Sequence, residues 1–367
     1  MKLRRLTGLL LSLVLLFCTG CSQSAAPRSA PSPTAEEQAL SSPLETPAEA
    51  LSEDEEKETV SNKKTDPAPA QEASFTLCAY LPVSSMTQGA AAVAEEYAGS
   101  ISALDYLVLN TGAYWGENGA LSLSDELLDA IETLQGKTAL WCTVNPQGAL
   151  IREGTAGQSI DTPQERQVLA QEIAAFAEQY GLAGIDIDWE FPLDDEWEDF
   201  STFLITLKDT LSRNSEPVAL SLALYPEEIS LSEEAIAALD RIHVMAYDQF
   251  DSEGFHSTMQ AAEDAVAYFT ALGASPQQLV LGIPAYGRPL DGSAQWVFYK
   301  DIDPESISGE NPDLVGDISF NSAATAAQKT QYALEQNLGG VMVYQLLCDR
   351  NDQDALILAC ANMAENA

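Results

Sequence analysis

Gly184-Ile185-Asp186-Ile187-Asp188-Trp189-Glu190 sets a carboxylate at every second place of an otherwise apolar run. Side chains alternate faces along a strand, so Asp186, Asp188 and Glu190 share one face and Ile185, Ile187 and Trp189 the other. The apolar face suits packing beneath helices, which turns the acids into the interior of a sheet structure. Same-face neighbours stand ~7 Å apart along a strand. Close carboxylates in a low-dielectric site cannot all ionise, so at least one is protonated more readily than usual. A carboxyl that keeps its proton near neutral pH is what a general acid needs to protonate a leaving oxygen. Glu190, outermost on the run, is the best placed. On spacing alone a second chemistry fits equally well, a magnesium or calcium site completed by water and substrate oxygens.

Outward from this run the chain alternates short apolar strands with helical stretches. The strands are expected at 75–81, 105–110, 138–144, 184–190, 218–224, 241–247, 279–285 and 340–346. Most read as buried on both faces, as in a parallel sheet. The clearest helix opens at Thr162-Pro163-Gln164-Glu165, a capping box with proline at the first helical position, and stops at Gly181. Eight such units over residues 74–367 predict an α/β fold of the (β/α)8 TIM-barrel type, whose active site lies at the C-terminal strand ends. A doubly wound open sheet fits less well, because no glycine-rich phosphate loop follows the first strand. The stretch from Tyr286 to Leu338 is only 53 residues and must include a helix, which leaves room for little or no inserted domain.

Ahead of the barrel, Met1–Gly20 has a basic start and an apolar run too short to span a membrane, the pattern of an export signal. Cys18-Thr19-Gly20-Cys21 resembles a bacterial lipobox, although Cys18 stands where an aliphatic residue is usual. The resemblance implies a lipid on Cys21 and an anchor on the outer face of a bacterial cell membrane; plain secretion is the alternative. Residues 21–73 are rich in Ser, Pro, Ala and Glu without apolar periodicity, the composition of a disordered tether.

The formal net charge is −39. Residues 1–73 hold 11 of the 56 acids and 7 of the 17 bases, leaving 45 acids against 10 bases for the barrel. Such a surface repels nucleic acid and other polyanions. None of the six cysteines forms a CxxC pair beyond the leader, so no zinc site is expected. Cys78 and Cys142 read as small core residues, and a Cys348–Cys360 bridge is left open.

Ala183-Gly184-Ile185-Asp186-Ile187-Asp188-Trp189-Glu190-Phe191-Pro192 resembles the signature of the family 18 glycoside hydrolases, which include chitinases. That signature carries four acids, and Ala183 stands at the first. Met245-Ala246-Tyr247-Asp248 is similar to the family's sixth strand end, Leu281–Arg288 to its seventh, and Gly339–Tyr344 to its eighth. The resemblance implies retention by substrate assistance: the N-acetyl oxygen attacks the anomeric carbon, and no cofactor or metal is required. Glu190 is then acid and later base, Asp188 orients the acetamide, Asp186 shares a proton behind it, and Tyr247 hydrogen-bonds the acetyl group. Asp248, Met245, Tyr286, Arg288, Tyr344 and Tyr80 fall at substrate-contacting strand ends. The missing acid at Ala183 is expected behind the catalytic group. Tyr344 replaces the tryptophan that usually floors the sugar site in chitinases, which weakens chitin as the specific substrate more than hydrolysis itself.

The partner so implied is an N-acetylglucosamine-containing glycan, acted on by a single chain. Endo-β-N-acetylglucosaminidase action on N-glycans, peptidoglycan remodelling and non-catalytic glycan binding on the same barrel are the rivals. Tyr114 and Trp115 are expected on an exposed loop where they stack on sugar; Arg288 contacts substrate or pairs with a barrel acid. Trp141 and Trp197 read as packing residues. His243, inside the sixth strand, and His256, in a polar loop, lack the partners of a nucleophilic triad.

Overall fold

A computed structural model describes residues 75–307 and 311–367. The expected leader, Cys21 and the tether over 21–73 lie outside the described residues. The described chain is a closed barrel of eight parallel strands, β1 Thr76–Pro82, β2 Tyr106–Trp115, β3 Ala139–Pro146, β4 Gly184–Ile187, β5 Ala219–Leu224, β6 Arg241–Val244, β7 Leu279–Pro284 and β8 Gly340–Tyr344. Each pairs with the next, and β8 returns to β1 with Gly340 opposite Thr76. The TIM-barrel expectation holds.

Two apolar layers hold it together. Outward-facing residues such as Ile185, Ile187 and Trp189 pack with Phe200, Phe203 and Leu207 of the helix Trp197–Leu211 in the layer between sheet and helices. Inward-facing Cys78, Tyr80, Tyr106, Val108, Trp141, Val280 and Met342 form a smaller interior cluster. Gly184 makes the interior possible beneath the acids: a Cβ there would meet the Trp141 indole at 2.1 Å. The helix Pro163–Tyr180 begins at the expected capping box, with Thr162 Oγ1 accepting from the Glu165 N–H and Glu165 accepting from the Thr162 N–H; Gly181 ends it in the left-handed conformation.

Strand ends differ from the sequence expectation on the functional side. The fourth strand stops at Ile187, the sixth at Val244 and the eighth at Tyr344. The mouth of the barrel replaces ladder bonds with side chains: the Asp188 N–H donates to Asn145 Oδ1 at 2.9 Å. The second strand runs past Asn110, crosses an irregularity between Leu109 and Ala113, and turns back at 121–123 as a hairpin.

Between β7 and the helix Ala323–Glu335, four short segments at 286–289, 297–298, 314–315 and 318–319 build a small antiparallel sheet, the reduced insertion expected from length. The Arg350 guanidinium donates to the Ile302 carbonyl and lies over the Tyr299 ring at 4.8 Å, pinning the insertion to the barrel's last loop. Cys348 and Cys360 are both free and buried, so they form no bridge; Cys78 and Cys142 are buried, as expected.

Candidate active site

The acid stack rises from a fully buried Asp186. Its Oδ2 accepts from the Tyr80 hydroxyl at 2.8 Å and from Thr143 at 3.3 Å, and its Oδ1 accepts from Ser221 at 2.5 Å. His243 Nδ1 stands 3.2 Å from Oδ1. These groups come from β1, β3, β5 and β6, all aimed inward by strand alternation. Donors on both oxygens occupy the lone pairs that a cation would need. The arrangement therefore supports a carboxylate held by hydrogen bonds over one held by metal.

Asp188, the next acid up, is built differently. Its Oδ1 is buried and has no hydrogen-bond partner among the described residues. Burial, then the charges of Glu190 and Asp186 and a hydrogen bond to Glu190, push its carboxyl well above the ordinary value. Glu190 completes the stack at the barrel mouth, half-buried, and its peptide bond to Phe191 is cis. The alternation read from sequence continues past the regular strand, since Trp189 is buried against Trp115 and Phe200 on the outer side.

Beside the acids, the segment after β6 raises Tyr247, whose ring lies 5.4 Å from that of Tyr344 at 25°. Burial raises the hydroxyls of both, with Asp188 and Glu190 adding to the effect. Met245 closes the interior beneath them. Asp248, at φ 57°, pairs with Arg288 and accepts from the Tyr286 hydroxyl at 3.0 Å. Burial works against ionisation of Asp248, but His256, Arg288 and Tyr286 outweigh it and hold the carboxyl below its ordinary value. The Asp248 N–H donates to His256 Nε2 at 2.9 Å. Trp296, from the insertion, stacks on Tyr286 at 3.8 Å and 4°, and meets Tyr344 edge-on at 6.3 Å.

Four expectations change. Trp115 does not reach the mouth: it ends β2 fully buried and donates Nε1–H to Ser159 at 2.9 Å. The half-buried Tyr114 faces the site instead, near enough to Asp188 to feel its charge. Adjacent strand residues point to opposite faces, and the irregularity before Ala113 decides which is which. Tyr80 is a floor residue beneath Asp186, only 2 % exposed, and no substrate contact. Tyr286 is fully buried under Trp296, so Trp296 presents the aromatic surface there. Ala183 is exposed before β4 and three residues from Asp186, hence on the opposite face and not behind the catalytic group. Arg288, open between two roles in the sequence, pairs with Asp248.

The matching model is that of the glycosyl hydrolases family 18, over residues 153–349. The chain belongs to that family. Among curated relatives, probable chitinase 2 of Drosophila melanogaster is 27 % identical over 161 residues, covering 39 % of this chain and 33 % of that protein. Chitinase 1 of Aphanocladium album is 24 % identical over 245 residues, covering 52 % and 58 %. The chain thus matches a third to three-fifths of these relatives' length. A family 18 chitinase from the chitin utilization locus of Flavobacterium johnsoniae superposes with a TM-score of 0.67 at 21 % identity, covering 80 % of this chain and 94 % of that one. A chitinase from Bacteroides thetaiotaomicron gives 0.65 at 20 %, covering 79 % and 96 %. At such identities the structures show the shared family 18 fold.

Sequence reading missed Thr143, Ser221 and His243 around Asp186. Their signal was a polar residue inside an apolar strand, at the parity that faces the interior. Lys329 was missed too. It is wholly buried on the helix Ala323–Glu335, and Nζ donates to Ser257 O at 2.7 Å and Oγ at 2.9 Å. Ser257 in turn donates to the Ala246 carbonyl at 2.6 Å, which steadies the segment carrying Tyr247. Burial pushes the Lys329 amine down to about 7, against weaker opposition from Asp313. Between that value and the ordinary lysine value the unfolded chain keeps a proton the native one has lost, so stability rises with pH. Urea unfolding of the wild type should gain about 2 kcal/mol from this group between pH 7 and 9. Lys329→Met should remove that increment; an unchanged increment would assign it elsewhere.

Proposed function

We propose that the barrel hydrolyses β-1,4 bonds after an N-acetylglucosamine unit, with chitin or chito-oligosaccharides as substrate, by a retaining, substrate-assisted route. The observation that carries this reading is Asp188 Oδ1, beside Glu190, a buried acceptor without a hydrogen-bond partner among the described residues. An acetamide N–H from substrate supplies the missing donor, and leaving it unmet costs about 1–3 kcal/mol. Tyr247 donates to the acetyl oxygen and holds it under the anomeric carbon. The proton held between Asp188 and Glu190 leaves from Glu190 to the departing glycosidic oxygen. As that bond breaks, the acetyl oxygen bonds the anomeric carbon and forms an oxazolinium ion, whose charge the Asp188 carboxylate balances. Glu190 then takes a proton from water, and the water oxygen opens the ring with retention. No second carboxylate need attack, which distinguishes the route from that of ordinary retaining glycosidases. Relatives named as chitinases support the substrate class.

Tyr344 and the small insertion favour a bulkier glycan as the second reading. A panel of chito-oligosaccharides, high-mannose glycoprotein and peptidoglycan separates them by which product is released. Glu190→Gln should lower kcat by at least ~10³-fold with binding retained, and cellulose oligomers, which lack the acetamide, should not be cut. Efficient cellulose cleavage would refute substrate assistance.

Trp296 supplies a sugar-stacking surface in this reading. It is the half-exposed tryptophan; Trp115, Trp141, Trp189 and Trp197 are 0, 7, 2 and 6 % exposed. Tryptophan emission should therefore change when chitotetraose binds. Trp296→Ala should abolish the change and raise KM about tenfold with a smaller effect on kcat. Retention of the wild-type signal and KM would remove Trp296 from the subsite.

We further infer that residues 1–20 direct export and that Cys21 carries the lipid anchor, with 21–73 as tether. The lipobox-like segment and the composition support this. Cys21→Ser should move the protein from the membrane fraction to the medium in a bacterial host; equal membrane retention would exclude the anchor.

A further inference from the structure

His243 lies beneath the acid stack, fully buried, and the proposed chemistry has not used it. Its Nδ1 is 2.7 Å from the Tyr80 hydroxyl and 3.2 Å from Asp186 Oδ1; its Nε2 is 2.9 Å from the Tyr106 hydroxyl. The ring is walled by aromatics, edge-on to Tyr80 at 5.5 Å, near-parallel to Tyr106 at 5.9 Å and tilted to Trp141 at 6.0 Å. No exposed surface lets water complete the hydrogen bonding, so these partners must satisfy one another.

For a ring with a single N–H, counting hydrogens gives their direction. Tyr80 has one hydroxyl hydrogen and two neighbours, Asp186 Oδ2 and His243 Nδ1. The Tyr80 hydroxyl donates to Asp186 Oδ2, so its hydrogen is used there. Tyr80 oxygen must then receive from Nδ1, which places the imidazole hydrogen there. In that tautomer Nε2 is left as an acceptor, and the Tyr106 hydroxyl fills it. The chain runs in one direction, Tyr106 to His243 to Tyr80 to Asp186, across β2, β6, β1 and β4.

We propose that His243 is a positioning residue for the acid stack: in its Nδ1–H tautomer it locks the Tyr80 hydrogen onto Asp186 and keeps Asp186 a hydrogen-bond acceptor, so that the working proton stays with Asp188 and Glu190. The proposal rests on the enzymatic reading for its kinetic consequence, but its structural content is independent of turnover. Other groups facing this network are Cys78 from β1, beside Tyr106, with Asp105 and Arg241 acting on that end; Thr143 from β3; Ser221 from β5; and Asp188 above. Val280 and Met342, from β7 and β8, bring no charge. Without the His243 donor the Tyr80 hydrogen is free to turn away from Asp186, and the stack loses a hydrogen bond that favours its ionised form. The acid limb of the kcat/KM profile, where the stack takes up one proton too many, then moves to higher pH.

The chain has only two histidines, so ¹⁵N-histidine labelling reads the tautomer of the wild-type protein directly, with His243→Phe assigning the signals. The expected result is an Nδ1–H ring for His243. An Nε2–H ring overturns the proposal whether or not the protein turns over any glycan. Turnover should show the acid limb raised by about one pH unit in His243→Phe. His243→Asn, which returns an N–H near the Nδ1 position, should bring it most of the way back. Tyr106→Phe, which keeps the ring and loses only the last donor, should shift it less. Superimposable limbs for the wild type and a folded His243→Phe or Tyr106→Phe overturn the positioning role. A wild type inactive on every N-acetylated glycan sinks the enzymatic reading and leaves the tautomer measurement to decide this one.

Discussion

A carboxylate at the centre of a closed barrel is costly to bury unless donors meet its oxygens. Asp186 meets that condition through three hydroxyls delivered by three different strands, with the imidazole of a fourth standing 3.2 Å away. Much of the interior can be understood from this constraint. Tyr80 and Tyr106 are buried phenols because their hydroxyls are needed there, and Trp141 lies flat across Gly184 because the space under the acid must be filled without another polar group. The donors also separate the three acids chemically. Asp186 is saturated, Asp188 has one bare oxygen, and Glu190 is at the mouth.

The mouth is assembled from the segments that follow β2, β4, β6, β7 and β8. Tyr247 and Tyr344 lie beside each other there, and Asp248, Arg288 and Tyr286 form a second charged group to one side. The small insertion contributes one residue of consequence, Trp296, which covers Tyr286 and borders Tyr344. Lys329 and Ser257 hold the underside of the Met245–Asp248 turn from the outer layer of the barrel. Rigidity at the site thus comes from behind it, and the rim is left to choose the substrate.

Much of the fold could be read along the chain. The capping box at Thr162, the eight apolar runs and the alternate acids of 184–190 are local signals, in which the covalent spacing and the strand or helix period together decide the outcome. The strand ends were harder, because side chains such as Asn145 take over from the ladder at the mouth and nothing local announces it. Trp115 shows the same limit. Whether it or Tyr114 faced the site turned on an irregularity several residues earlier, and a shift of one residue exchanges the two faces.

By itself the sequence determined the barrel, the acid face of its fourth strand and the likeness to a hydrolase family, since each depends on order and spacing along one stretch. Only the tertiary structure decided that Tyr80 supports Asp186 rather than touching substrate, that His243 joins the two, and that Trp296 lies over Tyr286. Tyr80 is 106 residues from Asp186 and 163 from His243. Contacts across such separations exist because the barrel closes and brings β1, β4 and β6 around one interior. No local pattern encodes that closure, because it is the joint outcome of all eight strands burying their outer faces at once.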